Sequence, residues 1–384
     1  MLSTRGDMNE AVRRLFPITQ RYIYMNHAAI SPLPKPTVEA MTHHAEQVMR
    51  HGTVKVVEWW EAIERTRQQV ARLVNARPEE IAFMRNTSDG LSVVANGLRW
   101  REGDNVVTAG CEFPANIYPW MRLRAYGVEL RLAPERNGRI EVEDLLALVD
   151  RRTRVLAVSF VQFASGFRVD LERLGEFCRR RDVLFVVDAI QGLGALPFDV
   201  ERFHVDAFAA DGHKWLLGPE GAAILYVSSR VLDRLEPTLV GWMSVRNWRD
   251  SISEEELTYD LSYREGALRF ESGTLNACGL CGLGASVELL LEVGISRIEE
   301  HLTVLGRELC ERLQAKGYRV VSSRRPGETS GIFCFTHPHY SAQELVARLE
   351  QRGIIVSARL GRLRISPHLY NTLEEIVEVA TQLP

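Results

Sequence analysis

Val183 to Val227 read VLFVVDAIQGLGALPFDVERFHVDAFAADGHKWLLGPEGAAILYV, and the fold turns on this stretch. Leu184 to Val187 are apolar without alternation, the pattern of a parallel strand buried on both faces, and Asp188 closes it. A second short strand, Asp206 to Ala210, leads into Asp211-Gly212-His213-Lys214. Open α/β sheets bind ligands outside the carboxyl ends of their strands. An acid and a lysine are therefore expected beyond one sheet edge.

Short apolar segments recur on either side, at Ile81 to Arg85, Asn105 to Ala109, Val128 to Leu132, Arg154 to Phe160 and Ala222 to Val227, with amphipathic segments such as Leu171 to Arg180 between them. This rhythm predicts a mainly parallel sheet covered on both faces, over roughly residues 20–265. Gly241 to Glu265 breaks it with Trp242, Trp248 and the acidic run Glu254 to Glu256, and reads as an irregular excursion at the site rim or a subunit interface. From Thr274 a long helical region runs to Gly317. Tyr318 to Ser322, Gly331 to Phe335, a helix at Ala342 to Gln351, and Ile354 to Arg359 then make a small α/β unit. Helices at Thr37 to Arg50 and Glu58 to Leu73 are expected near that unit or on a neighbouring subunit. The expected division is an N-terminal arm (1–19), a large domain (20–273) and a small C-terminal domain (274–384).

A chain of 384 residues has room for about two or three domains and a sizeable core. A net charge of -3 with scattered Lys and Arg leaves no basic stripe, so nucleic acid and acidic membranes are not expected partners. The six cysteines form neither a disulfide framework nor a two-pair zinc pattern, and no metal is expected. Cys278 and Cys281 make a Cys-x-x-Cys, but their small neighbours read as a buried helix. The N-terminus lacks an apolar signal region and no segment reaches the length of a membrane span, so a cytoplasmic, reducing location is expected. No strand is followed by Gly-x-Gly-x-x-Gly, which disfavours a nicotinamide-binding Rossmann protein.

A lysine that can hold an aldehyde as a Schiff base, and a carboxylate facing a pyridine nitrogen, are what a pyridoxal 5'-phosphate (PLP) site needs. The carboxylate keeps the ring nitrogen protonated, and desolvation lets the lysine shed its proton. Singly, such an Asp caps a loop and such a Lys lies on the surface. The order strand-Asp188-x-x-Gln191, short strand, Gly212-His213-Lys214 and a Gly/Pro turn is harder to reach by chance. Asn86-Thr87-Ser88-Asp89-Gly90 follows a strand and opens the helix Leu91 to Leu98, so its amides and hydroxyls face an anion. The competing reading is that Thr87 or Ser88 is only an N-cap. Arg364 is the candidate for a substrate α-carboxylate, because a guanidinium meets a carboxylate in a planar pair. Arg359 and Arg362 are rivals.

Tyr24-Met25-Asn26-His27-Ala28-Ala29, Asn86 to Gly90, Glu112-Phe113-Pro114-Ala115-Asn116, the Asp188/Lys214 block, Arg269-Phe270-Glu271-Ser272-Gly273-Thr274 and Arg364-Ile365-Ser366 follow one another along nearly the whole chain. In this order the chain resembles the class V aminotransferase family of PLP enzymes, which includes cysteine desulfurases, selenocysteine lyases, isopenicillin N epimerase and kynureninase. The resemblance implies the α/β PLP fold-type I, like aspartate aminotransferase. That fold has a large domain with a mainly parallel seven-stranded sheet, a small C-terminal α/β domain, and a homodimer with the site at the subunit interface. It implies Lys214 as the Schiff-base lysine and proton-transfer base, Asp188 at the pyridine nitrogen, and Thr87, Ser88 and His213 at the phosphate. It further implies Thr274 reaching the phosphate from the second subunit, Phe113 stacked on the ring, and Gln191 at the phenolic oxygen with Gln162 near it. Asn26 and the backbone at Ala28-Ala29 would line the substrate side.

Four departures bear on the reaction. Phe113 stands where desulfurases usually have a histidine, so it can stack but cannot shuttle a proton. Phe163 cannot replace the amide of their asparagine. Asp211 stands where they often place a phosphate-binding serine, so its carboxylate is expected to point elsewhere or to pair with a cation. Between Arg359 and Arg364 only Leu360-Gly361-Arg362-Leu363 remain, where desulfurases carry a loop with a nucleophilic cysteine. The expectation is an enzyme acting on an amino acid by transamination or C–S lyase chemistry, with epimerisation sharing the first step. A cysteine desulfurase using another thiol such as Cys111, and a non-catalytic PLP-binding scaffold or regulatory protein, stay open.

Overall fold

The computed structural model describes residues 10–248, 257 and 259–384. The acidic run Glu254 to Glu256 and residues 1–9 of the expected arm lie outside the described residues. Seven strands form the central sheet: β1 (Ile81–Met84), β2 (Asn105–Ala109), β3 (Glu129–Ala133), β4 (Thr153–Ser159), β5 (Leu184–Asp188), β6 (Ala207–Asp211) and β7 (Ala223–Val227). Their order is β1-β7-β6-β5-β4-β2-β3. Every pairing is parallel except those of β7, which runs antiparallel to both neighbours. From β2 the chain steps outward to β3 and then returns to the other side of β2 for β4. Ligands in such sheets lie in the crevice this reversal opens at the carboxyl ends of the strands.

The inner strands are buried on both faces, which is why they read as nearly unbroken apolar runs, while the edge strand β3 is partly exposed. Within β5, Phe185 and Val187 enter one core while Leu184 and Val186 enter the other. Helix α3 (Thr87–Gly97) packs Leu91 and Val94 on the second face, beside Ala207 and Ala209, and α4 (Leu171–Arg181) packs Leu174 and Cys178 on the first. It lies very close to β6, since a Cβ on Gly90 would come within 2.7 Å of the Ala209 Cβ.

The expected long helical region is two helices, α5 (Ala277–Val293) and α6 (Ile295–Ala315), bent by 75° at Gly294. Small residues of α5 admit the helices α1 (Lys35–His51) and α2 (Val56–Val74): Gly282 faces Met41 and Gly284 faces Thr66. The Cys-x-x-Cys lies on α5 with Cys278 Sγ 3.5 Å from the Met41 carbonyl, and all six cysteines are free thiols. Among the described residues no single helix is long and apolar enough to cross a membrane.

A third core gathers Leu305, Leu309 and Leu313 of α6 against β8 (Arg319–Val320), β9 (Phe333–Thr336), β10 (Ser357–Arg359) and β11 (Arg362–Ile365), ordered β8-β9-β11-β10. The N-terminal segment is threaded into this unit: Ile23–Tyr24 pairs parallel with Ile354–Ile355, Asn26 bridges Ser366, and Met25 is fully buried in the core. The strand expected over Ile354 to Arg359 is thus divided at Val356, one half serving the N-terminal segment and the other the β10–β11 hairpin. Between the cores, Glu271 accepts from Arg67 Nη1 at 2.8 Å and from the Phe83 amide at 2.9 Å, which pins the segment leading to Thr274 against α2 and β1.

Adding one methyl group at Gly90 would force α3 away from β6, and overpacking of this kind costs about 1–3 kcal/mol. Gly90→Ala is expected to lower the urea midpoint and to weaken cofactor retention together. An unchanged midpoint would show that the helix shifts freely.

Candidate active site

Asp188 ends β5 and is almost fully buried, with one carboxylate oxygen accepting the Ile190 amide at 3.1 Å. Burial pushes its carboxyl well above the ordinary aspartate range, with Glu112 adding to the rise and Lys214 opposing it. Lys214 follows the adjacent strand β6 and is 8% exposed. Burial lowers its amine, the attraction of Asp188 works against that, and Arg364 and Arg359 lower it further. The two groups therefore lie close enough to titrate against each other, in a medium that favours the neutral form of each. The turn that carries the lysine is fixed from below: the Gly212 amide donates to the Ala222 carbonyl at 3.1 Å, and the Leu217 amide to the Lys214 carbonyl at 3.0 Å.

The segment after β1 makes an anion-facing helix start, but the cap is not where the residues alone put it. Asn86, rather than Thr87 or Ser88, caps α3, its side chain accepting from the Asp89 amide at 2.9 Å, and the helix begins at Thr87 instead of Leu91. Thr87 is freed for another task. Its hydroxyl accepts the Asp211 amide at 3.0 Å, tying the helix start to the end of β6 and leaving its own proton to donate. Ser88 is exposed beside it. One Asp211 carboxylate oxygen sits 3.0 Å from His213 Nδ1, so the acid is turned toward the imidazole ring. The other oxygen is buried without a hydrogen-bond partner.

Phe113 presents its ring to the lysine, with Nζ 5.5 Å from the ring centroid, and Phe163 meets the same ring edge-on at 5.2 Å. Gln162 does not hang free. Its amide nitrogen donates to Glu112 at 2.7 Å and its oxygen takes the Cys111 thiol at 3.6 Å. Glu112 was not singled out in the sequence, although it stands next to Phe113. It is a buried carboxylate held by the Ser159 amide at 2.8 Å, the Ser159 hydroxyl, Asn116 at 3.0 Å and Gln162. It joins the carboxyl ends of β2 and β4, the two strands at the switch point. Gln191 is likewise engaged at both ends, donating to the Ala28 carbonyl at 3.0 Å and accepting from Trp215 Nε1 at 3.0 Å. One amide hydrogen of Gln191 remains for a ligand.

Arg364 lies on β11 and is 1% exposed. Its Nε donates to the Ser357 hydroxyl at 3.1 Å and Nη1 to the Phe163 carbonyl at 3.0 Å, while Nη2 is buried with no partner among the described residues. Burial and the neighbouring Arg359 bring its guanidinium down to about 10. The Asn26 side-chain oxygen is a second buried orphan. Ala28 is held by the Ser366 hydroxyl at 3.1 Å. His27, unremarked in the sequence, accounts for this rigidity: Nδ1 donates to the Ser366 carbonyl at 2.8 Å and Nε2 accepts from the Tyr370 hydroxyl at 2.9 Å. Thr274 is not brought to this cluster within the chain. It is exposed on a separate cavity of about 860 Å³ with Arg85, Asp89, Asn96 and Arg122.

Buried polar atoms are ordinarily satisfied, so the orphan Nη2 of Arg364, whose charge acts on Lys214, marks room for an anionic ligand group. A PLP ring with an amino acid fits this set: an anion at Asp188 for the ring nitrogen, an aromatic face at Phe113, a helix start with Thr87 and His213 for the phosphate, and an unsatisfied guanidinium for a carboxylate. Among the described residues no group of His, Cys, Asp and Glu is placed to hold a metal.

Comparison with known proteins agrees. The aminotransferase class-V family matches residues 23–379. A probable cysteine desulfurase of Methanothermobacter thermautotrophicus is 32% identical, covering 96% of this chain and 95% of its own. An uncharacterized aminotransferase, YcbU, of Bacillus subtilis is 29% identical over 96% of this chain and 95% of its own. Among solved structures, the apo cysteine desulfurase of Thermococcus onnurineus superposes with a TM-score of 0.90 at 29% identity, covering 99% of this chain and 98% of that one. The cystine C–S lyase C-DES, in complex with its product cysteine persulfide, superposes with a TM-score of 0.87 at 26% identity, covering 96% and 98%. The chain belongs to the aminotransferase class-V family. It is an α/β enzyme of the PLP-dependent kind with a seven-stranded, mostly parallel sheet.

Capture of the cofactor aldehyde needs a neutral amine, and burial lowers Lys214 from 10.5 to about 8. The rate at which apoenzyme develops the cofactor's visible band should therefore rise through pH 8 and level off above it. Asp188→Asn removes the anion that holds the ammonium form and should move the midpoint lower. A rate still climbing at pH 10 would mean that Lys214 is solvated like a surface lysine.

Proposed function

We propose that this enzyme is a C–S lyase acting on a sulfur-containing amino acid, with Lys214 as its covalent tether to the cofactor and its proton-transfer base. The observation that carries the reading is the β10–β11 hairpin. Arg359 and Arg362 are directly paired and only Leu360 and Gly361 turn between them, so no loop with a nucleophilic cysteine lies before Arg364. Cys111, the other candidate thiol, is pushed up to about 12 by burial and by Glu112, and a thiol that weak an acid is a poor nucleophile. Elimination needs no protein thiol. Support comes also from the similarity to C-DES, described as a cystine C–S lyase.

When bound, PLP supplies the electron sink that acidifies the substrate α-carbon. Arg364 binds the α-carboxylate through the Nη2 that has no other partner. Lys214 Nζ takes the α-proton, and its lowered basicity suits a base that must be neutral near pH 8. Asp188 would face the ring nitrogen and hold its proton. Phe113 covers the ring without offering a proton of its own, which leaves Lys214 to return one to the departing sulfur. The C–S bond breaks with its electron pair on sulfur, and water releases ammonia and a 2-oxo acid. For cystine the sulfur product is cysteine persulfide, and for cysteine it is sulfide.

We further propose a homodimer in which Thr274 reaches the phosphate cradle of the partner subunit. Thr274 shares its cavity with Asp89 of α3, and Tyr118, Leu239, Val240, Trp242 and Leu261 are apolar side chains left exposed. The three-part division at residues 19 and 273 belongs to the same proposal; the packing adds that Leu280 to Leu302 share the large core. A cytoplasmic location fits six unpaired thiols.

Lys214→Ala should abolish the cofactor's visible band and turnover. Arg364→Ala should lower kcat/KM by roughly tenfold to a hundredfold, mostly through KM, as loss of a charge-assisted pair predicts. Purified enzyme given cystine or cysteine should release pyruvate and ammonia in equal amounts, and Cys111→Ala should leave that rate intact. Protein-bound persulfide abolished by Cys111→Ala would instead establish a desulfurase. Keto acid without ammonia would establish transamination, and inverted substrate an epimerase.

A further inference from the structure

The β10–β11 hairpin carries three guanidinium groups on one face. Ser357 pairs with Arg364 and Arg359 with Arg362, and directly paired residues project to the same side of a sheet. Leu363 and Ile365, on the other side, enter the C-terminal core. Leu360 and Gly361 both have positive φ, 48° and 72°, as a two-residue turn of the tightest kind requires. The turn therefore holds Arg359 in register rather than letting it swing on a loop.

The three arginines are not equally satisfied. Arg362 donates to the Ala164 carbonyl at 3.1 Å and to Glu135 at 2.7 Å. Arg364 reaches the neighbouring Phe163 carbonyl and keeps one buried nitrogen free. Among the described residues Arg359 donates only to the carbonyl of Ala358, its own neighbour, at 2.8 Å. Among the described residues it has no acidic partner. The acids nearby are engaged: Glu135 with Arg362, Glu112 within its four donors, Asp211 beside His213, and Asp188 in the field of Lys214. Both Arg359 and Arg364 act on Lys214, so both charges reach the place where substrate would sit.

One α-carboxylate neutralises one of these guanidiniums and leaves the other without a counter-ion. We propose that Arg359 is a specificity-determining residue that reads a second anionic group, so that the preferred substrates are amino acids whose side chain ends in a carboxylate or sulfinate. Arg364 takes the α-carboxylate and Arg359 takes the distal anion. This rests on the amino-acid reading of the site above. Arg359 is only half-buried at the rim, so its contribution is partly screened.

The test is a titration of the holoenzyme's visible band with L-alanine, L-aspartate, L-glutamate and L-cysteine sulfinate. Arg359→Gln should weaken binding of at least one of the three dianionic ligands by about tenfold and that of alanine by less than about twofold. Arg359→Lys, which keeps the charge but loses the planar fork, should fall between. Arg364→Gln should weaken all four. Equal loss for alanine and the dianionic ligands in Arg359→Gln, or no loss for any of them, overturns the proposal while leaving the amino-acid reading standing. A wild-type holoenzyme whose band responds to no amino acid would sink both.

Discussion

A carboxylate and an amine withdrawn from water at the ends of two adjacent parallel strands are the constraint on which the remaining architecture depends. Taking either ion out of solvent costs several kcal/mol, and their mutual attraction offsets only part of that. The result is visible as opposite displacements, Asp188 toward its acid form and Lys214 toward its free amine. A buried group so poised is useful only if it cannot relax. β5 and β6 are joined across the Asp188–Ala209 register, and the residue after Lys214 is clamped twice. Trp215 donates to Gln191, and its carbonyl meets His368 Nε2 at 3.0 Å.

Those clamps explain why both chain ends converge on the site. Gln191 passes the constraint to Ala28, Ala28 to Ser366, and Ser366 through His27 to Tyr370. Each link is a buried hydrogen bond between segments more than a hundred residues apart. Breaking one strands a polar atom away from water, the more expensive kind of loss. Glu112 does the same on the opposite wall, where the sheet order reverses. Its four donors join the ends of β2 and β4 and set the base from which Phe113 and Gln162 project. The unsatisfied Nη2 of Arg364 stands out against this thorough pairing.

What could be read along the chain and what could not divides by the range of the interactions. The inner strands are legible to within a residue or two, because burial on both faces leaves a nearly unbroken apolar run; the edge strand β3 is partly exposed and alternates instead. Asp188 stands out because it closes such a run, and Lys214 because it lies three residues beyond the end of β6. The helix cap was misplaced from Asn86 to Thr87 or Ser88, since all three can cap, and the choice was made by the Asp211 amide arriving 124 positions later to occupy Thr87. Glu112 escaped notice because its partners Ser159 and Gln162 lie 47 and 50 positions away. The division of Ile354 to Arg359 into two strands depended on an N-terminal partner that periodicity does not register.

The sequence by itself determined the class of fold, the sheet edge at which chemistry could occur, and the missing thiol before Arg364, because each is written in local pattern or in the presence of a residue type. Only the tertiary structure decided which of three nearby arginines is spent on Glu135, which keeps a buried nitrogen free, and which has no acidic partner among the described residues. Those outcomes follow from strand register and from the competition of distant partners for the same donor, and neither is encoded in the spacing of residues along the chain.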